Sequence, residues 1–439
     1  MILAGSSTID ITPPVGYPLA GFAARHAVSQ GVHDPLQAKA LVVDSGAGVA
    51  IVTADLVSFP NRMVREIREK ASARTGIPEQ AIMLCSSHTH SGPALDEGYG
   101  SQGVAPEWYW NTLVDAIAGS IYEAWKNRAP ARIGTAAGEV FGIGVNRRSS
   151  EGIPIDPSLT VLKIEPVEPD RQVVLMNYTC HAVVLGPDNL AITADYPGYA
   201  MRVLEKVLEP AARVMFTNGA AGDVNTGHSA DLSALGYPIP GRTFQRAEKL
   251  GNILAGAVLS TLQSVEMKSE ARIAFRQHTV DLPRKAMPSL QEVEAQLAAD
   301  RVELQKLEAE KATEQQILSA RVRVFYSELL IHRIKEMTAE QGDDPIPVEL
   351  QAVAIGDTLL LAVPVEMFVS IGLRIKQASP FERTIIVGYT NGHLGYLPCR
   401  ETYEEGGYEA VSSRFAPESA DRVEAEFLEL AKSLKGSLG

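Results

Sequence analysis

Short apolar runs recur along the chain, and several of them end in a histidine or a carboxylate. Ala81-Ile82-Met83-Leu84 leads through Cys85-Ser86-Ser87 into His88-Thr89-His90-Ser91-Gly92-Pro93. Residues 173–180 lead into His181, residues 359–364 into Glu366, and residues 384–389 into Asn391-Gly392-His393-Leu394-Gly395-Tyr396. Runs of this length bounded by Gly, Pro and Asn predict buried strands. Residues 40–44 and 49–53 predict two more, split by the Ser45-Gly46-Ala47-Gly48 turn, with others at 213–216 and 271–275. Apolar positions at helical spacing predict helices over 63–73, 108–124, 194–208, 243–265 and 367–376. The mixture predicts an α/β fold of mixed β-sheets covered by helices, read as one domain over residues 1–439.

One region stands apart. Residues 289–340 are rich in Glu, Gln, Ala, Leu and Lys and meet no Gly or Pro before Gly342. Leu290, Val293, Leu297, Leu304 and Leu307 fall at heptad-like spacing, with Asp300 breaking the seam. This predicts one or two helices on the outside of the domain, packed on the body or forming part of a homo-oligomer contact, and placed to wall a pocket in either case.

The polar groups at the ends of the apolar runs carry the candidate chemistry. Residues i and i+2 of a strand point to one face, so His88 and His90 are expected to converge there, with Gly92-Pro93 turning the chain away. Paired imidazoles at a strand end suit a divalent transition metal, zinc above all. His181 and Glu366 come after strands in the same manner, the arrangement of a site built on strand ends.

Taken together these segments resemble the neutral/alkaline non-lysosomal ceramidase family. The resemblance rests on Ile9-Asp10-Ile11-Thr12-Pro13-Pro14-Val15-Gly16, Gly31-Val32-His33-Asp34-Pro35-Leu36, His88-Thr89-His90-Ser91-Gly92-Pro93, Asn146-Arg147, His181-Ala182, Asn218 with Gly222-Asp223-Val224, Val363-Pro364 with Glu366, and Asn391 through Tyr396 with Glu404, Tyr408 and Glu409. The blocks fall in the family's order over nearly the whole chain. The resemblance implies a zinc ion held by His88, His181, Glu366 and Tyr396, with His90 and Arg147 lining the same pocket. It also exposes two departures. Ceramide hydrolases of the family carry serine after Gly-Asp-Val, where this chain has Asn225. The residues after Tyr408 are too few for the family's C-terminal immunoglobulin-like sandwich of ~100 residues.

The chemistry expected without that serine is attack by a metal-activated water on a carbonyl. Arg147 is expected to stabilise the oxyanion or grip a substrate carboxylate through both prongs of its fork, His90 to shuttle the proton, and Asp223 to orient the loop beside Asn225. Asp96, Glu97, Asp188, Asn189, Asn225, Thr226 and His228 are expected to give the pocket a polar lining. No Gly-Lys-Ser or Gly-Lys-Thr comes after the loop 218–223, which argues against a phosphate cradle. His33, His228 and His393 receive no catalytic role.

Composition narrows the rest. A net charge of −13 argues against a nucleic-acid surface. No apolar run approaches the ~20 residues of a membrane span. The N-terminus has no basic segment leading into an apolar one, so the expected location is the cytoplasm. Cys85, Cys180 and Cys399 are expected to be free thiols. The reading is a zinc-dependent hydrolase of a small polar amide, ester or lactone. The alternatives are a neutral ceramidase that tolerates Asn225, and a metal-free binding protein of the same fold.

Overall fold

A computed structural model describes residues 1–46, 48–96, 102–148, 154–167, 172–209, 211–339 and 344–438. Eight strands form one sheet in the order Ala212–Asn218, Gln172–Tyr178, Ser158–Pro166, Ala129–Glu139, Ile2–Asp10, Gln37–Asp44, Gly48–Ala54, Ile82–Ser86. The two outermost pairs are parallel and the inner ones antiparallel. Leu41, Val42, Val43 and Val49 to Val52 are all fully buried, so this hairpin is apolar on both faces, as its unbroken runs require. One side is covered by helices Asn61–Thr75 and Glu107–Lys126, the other by Asp195–Val207 and Phe244–Leu262. Met63, Ile67 and Ala71 supply the buried stripe of the first, which stops at Gly76 in the left-handed conformation with φ 73°. The helix expected over 243–265 starts after the Thr243 cap and ends at Leu262.

A second sheet runs Ile273–Leu282, Ile346–Ile355, Thr358–Ala362, Arg383–Val387, the last pair parallel. The loop after Arg383–Val387 ties it to the first sheet. Gly388 N donates to Asn218 O at 3.1 Å and Ser86 N to Tyr389 O at 3.3 Å, so this loop touches both edge strands of the eight-stranded sheet. Asn218 Nδ2 also reaches Ser87 O at 3.4 Å, which places the two edges against one another. The strand ends that carry the polar groups therefore meet.

The Gly- and Pro-free region forms a helical hairpin, Leu290–Ala309 and Glu314–Ala339, after a capping box of Ser289 and Glu292. Lys311, at φ 52°, makes the turn. Asp300 does break the apolar seam, but it is satisfied across it: Ser327 Oγ donates at 3.1 Å and Arg323 lies at 3.5 Å. Phe325 of the second helix stacks on Tyr408 at 6.4 Å, which docks the hairpin on the helix Tyr408–Ser412. The three cysteines are free, Cys85 and Cys180 buried. Among the described residues no helix is long and apolar enough to cross a membrane.

Candidate metal centre and its cavity

The strand Ile82–Ser86 ends two residues before His88, which lies in the left-handed region at φ 63°. Ser87 N and His88 N donate to Ala54 O and Leu56 O, both at 2.9 Å, pinning this turn. His88 and His90 do meet, with Nε2 atoms 3.1 Å apart, but through a strained turn and not through strand alternation. Three of the five described non-glycine residues at positive φ, His88, Tyr389 and Asn391, belong to this junction. Gly21 lies so close that a Cβ there would sit 2.4 Å from the His90 ring.

Hydrogen bonds at the far nitrogens fix the tautomers. His88 Nδ1 faces Val57 O at 2.7 Å, and His181 Nδ1 faces Ala221 O at 2.6 Å. A nitrogen facing a carbonyl carries the proton, so in the neutral ring Nε2 is left with a lone pair. Those lone pairs point at a carboxylate: Glu366 Oε2 is 3.0 Å from His181 Nε2 and 3.6 Å from His88 Nε2. Three acceptor atoms of neutral imidazoles and an ionised carboxylate thus converge, with His90 Nε2 beside them at 3.1 Å from His88 Nε2. Atoms bound tetrahedrally at ~2.0–2.2 Å lie about 3.3 Å apart, so a zinc ion fits the spacing. The coordinating atoms of His88, His90 and His181 all fall within 4.8 Å of one another.

Burial sets the charges. It pushes the His181 imidazole down to about 4 against the pull of Glu366. Burial also raises the Glu366 carboxyl, but His88 and His181 outweigh it and hold the group well below the usual carboxylate range. A neutral His181 imidazole beside an ionised Glu366 carboxylate is the pair of protonation states a metal requires. His393, to which the sequence pattern assigns no role, places its Nε2 3.3 Å from Glu366 Oε1, the oxygen turned away from His181. Its position after a strand-like run is the same signal that marks the other site residues.

Glu366 and Tyr396 are register partners in a two-stranded parallel ladder, which sets their side chains next to each other. Tyr396 Oη accepts from Arg147 Nη2 at 3.1 Å. Arg147 also donates Nη2 to Gly222 O at 2.9 Å and Nε to Glu409 Oε1 at 2.7 Å. The open fork expected for gripping substrate is therefore largely taken by the protein, and only Nη1 has no partner among the described residues. Arg148 reaches the same carboxylate, its Nη1 donating to Glu409 Oε2 at 2.7 Å.

Asp223 and Asn225 serve the loop between them. Asp223 accepts from Val369 N at 2.8 Å and from Asn146 Nδ2 at 2.7 Å, and does not border the cavity. Asn225 does border it, with its Oδ1 accepting from Gly227 N and His228 N and its Nδ2 donating to His228 O.

The centre opens into a cavity of about 340 Å³. His90, Arg147, His181, Glu366 and Tyr396 line its metal end, with Phe22 and Val183 beside them, and Phe325, Leu329, His332, Arg333 and Glu336 of the second hairpin helix supply a further wall. Of the expected polar lining only Asn225 lies there. Glu97 falls outside the described residues, and Asp96, Asp188, Asn189, Thr226 and His228 do not border the cavity. Thr226 and His228 bond to each other at 2.8 Å, and Asn189 bonds to Ser91 at 3.0 Å.

The family model described as "Neutral/alkaline non-lysosomal ceramidase, N-terminal" matches residues 2–233, more than half of the chain. The chain belongs to the neutral/alkaline non-lysosomal ceramidase family. The matched segment holds His88, His90, Arg147, His181 and Asn225, while Glu366 and Tyr396 lie beyond it. The neutral ceramidase of Drosophila melanogaster is 25% identical over 98% of this chain and 74% of its own length. That of Pseudomonas aeruginosa is 22% identical over 95% and 70%. The crystal structure of the Pseudomonas aeruginosa neutral ceramidase matches all of this chain and 75% of its own, with a TM-score of 0.75 at 19% identity, a likeness of fold.

Proposed function

We propose that the chain is a zinc-dependent hydrolase of a small, polar amide, ester or lactone. The observation that carries this reading is the convergence of His88 Nε2, His181 Nε2 and Glu366 Oε2, whose Nδ1 contacts to carbonyl oxygens leave both Nε2 atoms with lone pairs in the neutral rings. Tyr396 completes a mixed nitrogen and oxygen set beside them. A zinc ion bound there supplies Lewis acidity, polarising a carbonyl oxygen and acidifying water.

The protein groups divide the remaining work. Arg147 Nη1 is the donor left for an oxyanion, and Glu409 holds its guanidinium in place. His90 borders the cavity with its Nδ1 buried and unpartnered, a group on hand to move a proton. Asn225 stands where the family resemblance places serine, and its side chain is committed to its own turn, which favours water over a side-chain oxygen as nucleophile.

Size and lining favour a small substrate over ceramide. About 340 Å³ lies at the low end of the ~300–1,000 Å³ typical of ligand pockets, and arginine, histidine and glutamate line the wall that the second hairpin helix supplies. The ceramidase reading keeps support from the relatives and from the apolar flank of Phe22, Phe325 and Leu329. Turnover of an N-acylsphingosine by the zinc-loaded protein, set against a panel of water-soluble amides, esters and lactones, separates the two. The expected result is zinc-dependent hydrolysis within the soluble panel and near-absence of ceramide cleavage. Efficient ceramide turnover would establish the second reading instead.

A further inference from the structure

The cavity wall formed by the second hairpin helix and the helix Tyr408–Ser412 carries polar groups that hydrolysis at the metal does not use. Arg333 donates Nη1 to Glu336 Oε2 at 2.7 Å, yet its Nε is buried with no hydrogen-bond partner among the described residues. Ser412, 2% exposed on the helix Tyr408–Ser412, likewise leaves its Oγ unpartnered. Both residues border the same cavity. Buried polar atoms are almost always paired, so two orphaned donor groups on one wall mark a place where a ligand supplies the acceptor.

The surrounding charge says which kind of acceptor. Among the described residues Arg242, on the flank, bonds only to neutral partners, Val183 O, Val184 O and Ser233 Oγ, and its guanidinium lies over the Phe22 ring at 5.2 Å. The Phe22 ring in turn meets His90 edge-on at 4.8 Å, which puts Arg242 one ring away from the metal end. Lys285 Nζ, behind Ser412, bonds only to Ala410 O and Val411 O. Glu409 offsets Arg147 and Glu336 offsets Arg333, but Arg242 and Lys285 have no carboxylate within ion-pair distance among the described residues. Asp195 and Asp188 act on Arg242 from beyond that distance, so the cation left without a nearby carboxylate beside this wall is Lys285.

We propose that Arg333 and Ser412 form a subsite for an oxyanion, a carboxylate in the first instance, carried by the substrate outside the bond that is broken. The Nε–H of Arg333 and the Oγ–H of Ser412 donate to it, while Lys285 supplies the favourable field. The proposal rests on the hydrolase reading of the metal end and names the substrate class: a short amide or ester with an anionic tail.

The test uses the zinc-loaded full chain and a series of dicarboxylic acid monoamides of increasing length, each paired with its methyl ester. The acid of the fitting length should exceed its ester in kcat/KM by at least ~10-fold, through KM. Arg333→Gln and Ser412→Ala should each abolish that preference, lowering kcat/KM for the acid more than for its ester, with the zinc content unchanged. Equal turnover of acid and ester by the wild type, or a preference that survives Arg333→Gln, would overturn the subsite. Calorimetry with glutarate on the His88→Ala variant provides an arm free of turnover and of metal. Binding that weakens at least ~10-fold on adding Arg333→Gln upholds the subsite even if no amide is cleaved, in which case the hydrolase reading alone fails. Binding unaffected by Arg333→Gln counts against the subsite. Melting curves of each variant exclude loss of fold as the cause.

Discussion

His181 Nε2 lies 3.0 Å from Glu366 Oε2, and neither atom brings a proton to the contact. Two acceptors held this close in a buried site repel unless a cation lies between them, and His88 Nε2 adds a third. Protein purified without added metal should therefore contain close to one zinc per chain by elemental analysis, and His88→Ala or His181→Ala should remove it. Full metal content in both variants would refute the ligand set.

His393 supplies a sharper test of the same centre. Its contact with Glu366 Oε1 orients the carboxylate from the side away from the imidazoles, and partners of that kind are worth ~10–100-fold in metal affinity. His393→Ala should weaken zinc binding by that factor in a chelator competition, and His393→Gln, which keeps an N–H donor, should recover part of it. Equal affinities for wild type and His393→Ala would reduce His393 to packing.

Much of this centre is legible in the sequence, because a polar group at the end of an apolar run announces itself. His88, His90, His181 and Glu366 all stand out that way. The reason expected for the His88–His90 convergence is nevertheless wrong: the strand stops at Ser86, and a left-handed turn brings the rings together. The Glu366–Tyr396 register cannot be read from sequence, since it joins two two-residue strands through tertiary structure alone. Arg147 looks like a free fork because its partner Glu409 lies 262 residues away. The expected polar lining fails for a local reason. Thr226, His228 and Asn189 satisfy their own loops, and the polar wall comes instead from a hairpin whose docking on Tyr408–Ser412 no periodicity reveals.

The Arg147–Glu409–Arg148 cluster predicts unequal costs on its two sides. Glu409 is 3% exposed and accepts at 2.7 Å from both arginines. Removing its charge strands a buried guanidinium, so Glu409→Gln should destabilise the fold by roughly 3–5 kcal/mol in denaturant unfolding. Arg147→Lys keeps a cation but cannot span Glu409, Gly222 and Tyr396 together. It should lower kcat/KM by at least ~10-fold, about 1.4 kcal/mol, with zinc retained. Unchanged kinetics in Arg147→Lys would remove this residue from the reaction.

Lys285 predicts a pH dependence of stability. Burial, aided by Arg333, lowers its ammonium from the ordinary 10.5 to about 8. The folded chain therefore releases this proton near pH 8, whereas the unfolded chain holds it until about pH 10.5. Below pH 8 both states are protonated and the folded state bears the whole desolvation cost. Between the two values the unfolded state binds more protons, so this residue's contribution to stability rises with pH. Lys285→Met removes the group and with it the slope. The variant should be more stable than wild type at pH 7 by on the order of 1–3 kcal/mol, after allowance for solvent screening. That advantage should shrink steadily from about pH 8 to about pH 10 when the two proteins are unfolded in urea side by side. Comparing them at each pH cancels the titration of the other lysines and tyrosines. A difference that stays constant across this range would mean that Lys285 keeps its ordinary affinity for protons in the folded chain, and that the cavity wall behind Ser412 is better solvated than its burial implies.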